Sequence, residues 1–96
     1  MDYKLQMKHT LWIEKRCQIL KMDNYKCNIC ESTNRLEVHH VTYLGNRLAW
    51  HYPDHLLVTL CNKCHNKEHS NNATKNPDRI SAWINRLSKI RYKSLI

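Results

Sequence analysis

The sequence predicts a small α+β domain stapled by metal, and three observations carry that prediction. Two Cys-x2-Cys pairs, Cys27/Cys30 and Cys61/Cys64, supply four thiolates, the tetrahedral set of a closed structural zinc. Two short apolar runs of strand character, one after each turn-rich stretch, lie between the pairs. Segments with apolar residues at helical spacing flank them on both sides. At 96 residues, with no phenylalanine and one glycine, the core rests on Leu, Ile, Trp, Tyr and Val. So thin a core needs a staple, and the chain is expected to unfold without zinc.

The elements follow in order. Residues 1–22 read as a basic N-terminal helical arm, with a helix from about Thr10 to Met22. Thr10 is the expected N-cap, Ile13, Cys17 and Leu20 form the recurring face, and Trp12 and Ile19 flank it. On that face the fifth cysteine, Cys17, is a buried small hydrophobe. Asp23-Asn24 ends the helix, Tyr25-Lys26 leads into the first knuckle, and Glu31-Ser32-Thr33-Asn34 turns it. Leu36 to Val41 is the first strand. A loop holding Gly45, Asn46 and Pro53 follows, and Leu56 to Leu60 is the second strand, entering the second knuckle. His65 to His69 opens the next helix, and histidines four apart on a helix point toward one shared ion. Ser70 to Asn76 reads as a polar linker. The last helix spans 76–94: Asn76 caps it, Pro77 takes the first helical position, and Asp78 complements the positive end of the dipole. Ile80, Trp83, Ile84, Leu87 and Ile90 make its apolar face, and Arg79, Arg86, Lys89 and Lys93 make an outward basic stripe. The division is therefore one domain over 1–96, with a metal-stapled centre over 23–70 between two helical arms.

Net charge is +8, all of it in the flanks. Residues 1–22 hold five basic and two acidic side chains, residues 23–70 five of each, and residues 71–96 six and one. A neutral metal-bearing centre between two basic arms suits a polyanion, nucleic acid, gripped through its phosphates. The N-terminus has no apolar leader, and no apolar run approaches the roughly 18 residues of a membrane span. Free thiols in two ligand pairs point to a reducing cytoplasm and to no membrane partner.

The chemistry lies between the cysteine pairs. His39 and His40 are adjacent on a strand, so their side chains leave opposite faces and cannot be two equivalent ligands. The joint pattern Val-His-His-Val-Thr-Tyr at 38–43 and Leu-Cys-x-x-Cys-His-x-x-x-His at 60–69 resembles the zinc-stapled members of the HNH endonuclease family. The resemblance covers about Tyr25 to His69, half of the chain. It implies a ββα-metal (His-Me finger) core whose structural zinc is held by Cys27, Cys30, Cys61 and Cys64. It implies that His40 is the general base for an attacking water and that His39, His65 and His69 ligate one catalytic divalent ion. Nitrogen ligands favour Mn2+, Ni2+, Co2+ or Zn2+ over Mg2+. The family places an asparagine nine residues before the first helical histidine, where this chain has Leu56, so the brace of the base passes in expectation to His55 or Asp54. The implied activity is hydrolysis of phosphodiester bonds in double-stranded DNA, by nicking or double-strand cutting, in a bacterial or phage-infected cell. A homodimer and a larger phage or restriction complex are both compatible with it.

Two other readings compete. The first is a zinc-containing module that binds nucleic acid without cutting it, its histidines structural. The second is an inverted zinc-peptidase motif, since His65-Asn66-Lys67-Glu68-His69 spells H-x-x-E-H. Only Asp78 could supply the downstream carboxylate in that case, and His39, His40 and the four cysteines would have no role.

Overall fold

Two antiparallel strands form the centre of the structure, a computed structural model that describes residues 3–91. Strand β1 (Leu36–His40) pairs with β2 (Leu57–Cys61), Leu36 opposite Cys61 and His40 opposite Leu57. With helices on both sides, this is the α+β arrangement that the sequence predicts. Strand β2 starts one residue later than its apolar run suggests. Leu56 closes a 3₁₀ turn (Asp54–Leu56) by donating its N–H to Pro53. Its carbonyl accepts from Val41 N–H at 2.8 Å, adding one rung beyond His40.

All five residues of β2 are buried. A sheet of two strands leaves β2 with an open edge, and the rest of the chain pairs it. Thr59 N–H donates to Asp23 Oδ2 at 3.0 Å, and its carbonyl accepts from the backbone and side-chain amides of Asn28 at 3.0 and 3.1 Å. The Leu57 carbonyl accepts from Arg91 at 2.6 Å.

The N-terminal arm comprises two helices among the described residues, α1 (Tyr3–Lys8) and α2 (Thr10–Met22). They break at His9, whose extended backbone and Nδ1 cap α2 by accepting from Leu11 N–H at 3.1 Å. The N-cap is therefore His9 and not Thr10. The buried face of α2 also differs from the expected one: Trp12, Ile19 and Leu20 are buried, whereas Ile13 is 48% exposed and Cys17 is exposed. Leu11, Trp12 and Ile13 are consecutive and apolar, and the largest of them turns inward because it removes the most surface from water. Helix α2 ends in a Schellman motif, with Tyr25 N–H on Leu20 O, Asn24 N–H on Lys21 O, and Asn24 at φ 56° in the left-handed position.

Helix α3 (Asn62–Ser70) begins three residues before His65, so Cys64 already belongs to its first turn. Helix α4 (Pro77–Arg91) is capped by Asn76 Oδ1, which accepts from Asp78 and Arg79 N–H at 3.0 and 3.3 Å. Trp83 and Leu87 are buried, but Ile90 is 50% exposed. The expected extension of this helix to residue 94, with Lys93, lies outside the described residues. Residues 70–76 pack instead of linking freely. Ala73 is buried in a 3₁₀ turn (Ala73–Lys75), and the Thr74 carbonyl accepts from Thr42 Oγ1 at 3.0 Å.

Three basic residues of α4 are used internally. Arg91 forks onto Asp23 with two 3.0 Å bonds, both side chains all but fully buried. Arg79 pairs with Glu68 through two nitrogens, and Arg86 donates to the Asn28 carbonyl. Both guanidinium groups flank the Trp83 ring, at 5.2 and 5.5 Å. The expected outward stripe on α4 is thereby reduced, because a buried carboxylate and an indole face attract the guanidinium groups more than solvent does.

Candidate metal centres

The four cysteines converge. Cys27 and Cys30 come from the knuckle after α2, Cys61 from the end of β2 and Cys64 from the first turn of α3, with all four sulfurs within 4.8 Å of one another. The Cys30 and Cys61 sulfurs are 3.6 Å apart. Tetrahedral zinc with bonds of about 2.3 Å separates its sulfurs by about 3.8 Å, so the group fits that ion. Burial raises the Cys27 thiol, but backbone N–H groups of Cys30, Cys61 and Ile29 outweigh it and bring it down to about 7. Burial and the neighbouring sulfurs push Cys64 up. One thiol eased toward thiolate beside others held back is what a cluster does before a cation neutralises it. The knuckle takes its tight turn without glycine, Glu31 adopting φ 64°.

The second cluster is made of histidines. On β1 the pleat directs His39 toward α3, where its ring meets those of His65 and His69 edge-on at 5.0 and 5.4 Å. One helical turn separates His65 from His69, and their Nε2 atoms are 2.9 Å apart. One nitrogen from each of the three lies within 4.8 Å of the others. Metal–nitrogen bonds of about 2.1 Å place neighbouring nitrogens about 3.0–3.4 Å apart, so these residues could hold a divalent ion. His39 supports that fit, being fully buried with neither ring nitrogen hydrogen-bonded. Burial, then the neighbouring His65 and His69, lowers its pKa to about 3, so the ring is neutral and its lone pair available. His69 is exposed, which opens the cluster to solvent on one side.

Glu37 belongs to this centre although no sequence motif marks it. It precedes His39 by two residues, hence shares its face of the strand, and its Oε2 lies 3.1 Å from His65 Nδ1. A carboxylate on Nδ1 fixes the tautomer and turns Nε2 toward the cluster. Period-two spacing from His39 was the signal available for it. Glu68, between the two α3 histidines, faces the other way into Arg79 and Trp83. Burial raises its carboxyl, and the Arg79 bonds and charge prevail and lower it.

His40 leaves the opposite face of β1 and is 2% exposed. Trp12 stacks on it at 5.3 Å and Tyr43 at 5.6 Å, and Tyr52 meets it edge-on at 4.6 Å. Burial, then His65, lowers its pKa to about 4, against a hydrogen bond with the Ala49 backbone that raises it. Tyr52 also pins the following loop, its hydroxyl accepting from Leu44 N–H at 2.8 Å and donating to the Leu44 carbonyl at 3.2 Å.

The brace expected of Asp54 or His55 is made by neither among the described residues. Lys15 takes the Asp54 carboxylate at 2.6 Å, and His55 is exposed on the 3₁₀ turn. His9, unassigned in the sequence, caps α2 and stacks on Trp50 at 4.5 Å. His51 is exposed.

No protein-family profile and no solved structure matches the chain. It is similar to an uncharacterized 91 kDa protein in cob intron of Schizosaccharomyces pombe (strain 972 / ATCC 24843), 33% identical over 66 residues. The match covers 60% of this chain and 8% of that relative. None of the described helices is long and apolar enough to cross a membrane.

Proposed function

We propose that this chain is a metal-dependent DNA endonuclease of the HNH type, with zinc in the four-cysteine site and one catalytic divalent ion between His39, His65 and His69. One observation carries the reading. A fully buried histidine with no hydrogen bond at either nitrogen faces two more histidines, one of them exposed, and its strand neighbour is a fourth. The similarity to a protein in a cob intron is in keeping with the same class.

The residues divide the work. His39, His65 and His69 hold the ion, and Glu37 orients His65. When bound, that ion supplies charge relief on the phosphoryl and departing oxygens. His40 accepts the proton of the attacking water at the ring nitrogen that Ala49 does not engage. The family's asparagine is absent, and backbone groups take its place: Leu56 O holds Val41 N–H, and Ala49 holds His40. Exposed Lys4, Lys8, Lys63, Lys67 and Lys89 bring positive charge for phosphates without a base-reading motif. His40 is deeply covered here, so engagement with DNA must part it from Tyr43, which is 46% exposed.

The test is supercoiled plasmid incubated with the protein and Mn2+, Ni2+, Co2+, Zn2+ or Mg2+ in turn, for wild type and His40→Gln. The reading expects nicked or linear product in at least one of the first four metals and its loss in the variant. Tight plasmid binding without a nick in any metal would instead identify a non-catalytic zinc module.

A further inference from the structure

The N-terminal segment does more than bring charge, because residues one turn apart along it reach the loop behind His40. Gln6 Oε1 accepts from the Ala49 N–H at 2.8 Å, across 43 residues of sequence. His9 stacks on Trp50, the next residue of that loop, at 4.5 Å and 26° between planes. Trp12 stacks on His40 itself at 5.3 Å and 21°. Between β1 and β2 the chain has only short 3₁₀ turns, Ala49–His51 and Asp54–Leu56, and no ladder of its own. Such a loop takes its position from what it touches. Ala49 is 2% exposed, and its backbone bonds to His40. The Gln6 amide therefore holds one side of the peptide segment whose other side holds His40.

We propose that Gln6 is a positioning residue for His40: by anchoring Ala49 it fixes which ring nitrogen of His40 carries the hydrogen and where the other one points. This rests on the endonuclease reading only for its consequence in catalysis. A half-buried side-chain amide that satisfies a backbone N–H contributes stability wherever it occurs. What sets this one apart is that its partner is the residue that orients the base, and orientation of a base acts on the chemical step and not on binding.

Two variants of the full zinc-loaded chain test it: Gln6→Met, of similar shape but without the acceptor, and Gln6→Glu, which restores one. The readouts are the 15N shifts of the His40 ring, which report its tautomer, and kcat and KM for plasmid nicking. In Gln6→Met the ring signals move toward a mixed tautomer, kcat falls about tenfold, the loss of one hydrogen bond's contribution, and KM stays within about twofold. Gln6→Glu recovers both. Ring signals that stay as in wild type in a folded Gln6→Met overturn the proposal, whatever the rate does. If the ring signals respond to Gln6 but wild type cuts nothing, the positioning role stands and the endonuclease reading falls.

Discussion

His39 and His40 are adjacent and pack against different elements. The pleat sends one to α3 and the other to the aromatic wall of Trp12, Tyr43 and Tyr52. Their substitution should therefore separate two functions. His40→Gln should reduce cleavage by about 10²–10⁴-fold while the histidine centre keeps its metal affinity, compared by plasmid assay and calorimetry. Glu37→Gln should weaken metal binding at the histidine centre by about 10–100-fold and leave the cysteine zinc in place, measured by titration of the zinc-loaded protein. Equal metal affinity in Glu37→Gln would remove Glu37 from the site. The histidines and cysteines were legible in the sequence because ligand spacing on a helix or knuckle is local. Glu37 and Ala49 were not, since one reads as an ordinary strand carboxylate and the other acts through its backbone.

Each helix shows how far periodicity alone goes. The range of α2 was readable from apolar spacing, yet its buried face was not, because Leu11, Trp12 and Ile13 offer three candidate faces and only the packing partner chooses. Helix α4 was readable through its Asn76-Pro77 start. Its basic stripe was readable only in part, since the carboxylate that engages Arg79 sits eleven residues earlier on α3. The same blindness to distant partners hid Arg91 and Asp23, which tie α4 to the end of α2 and cover the open edge of β2. Breaking that pair should be costly, as it strands a buried charge. Asp23→Ala should lower unfolding free energy by about 3–5 kcal/mol in urea denaturation followed by tryptophan fluorescence. A loss under about 1 kcal/mol would mean that the pair is not buried in solution.

At the scale of the molecule, the two clusters are joined through α3, which contributes Cys64 to one and His65 and His69 to the other. Stability and chemistry are thereby coupled. Removing zinc from the cysteine site should unfold most of the chain, seen as loss of helical circular dichroism on chelation and in Cys61→Ser. The α+β class was legible from the alternation of knuckles, strands and helices, whereas the packing of α1 on the loop behind His40 was not, as its Gln6–Ala49 bond joins residues 43 apart. The central claim is that this chain holds two ions in different ligand sets, one for the fold and one for the reaction. Metal content per folded chain, measured by mass spectrometry after equilibration with Zn2+ or Co2+, tests it most directly. The account predicts two ions in wild type and one in a folded His65→Ala that no longer cuts DNA; a single ion in wild type, unchanged in His65→Ala, would contradict it.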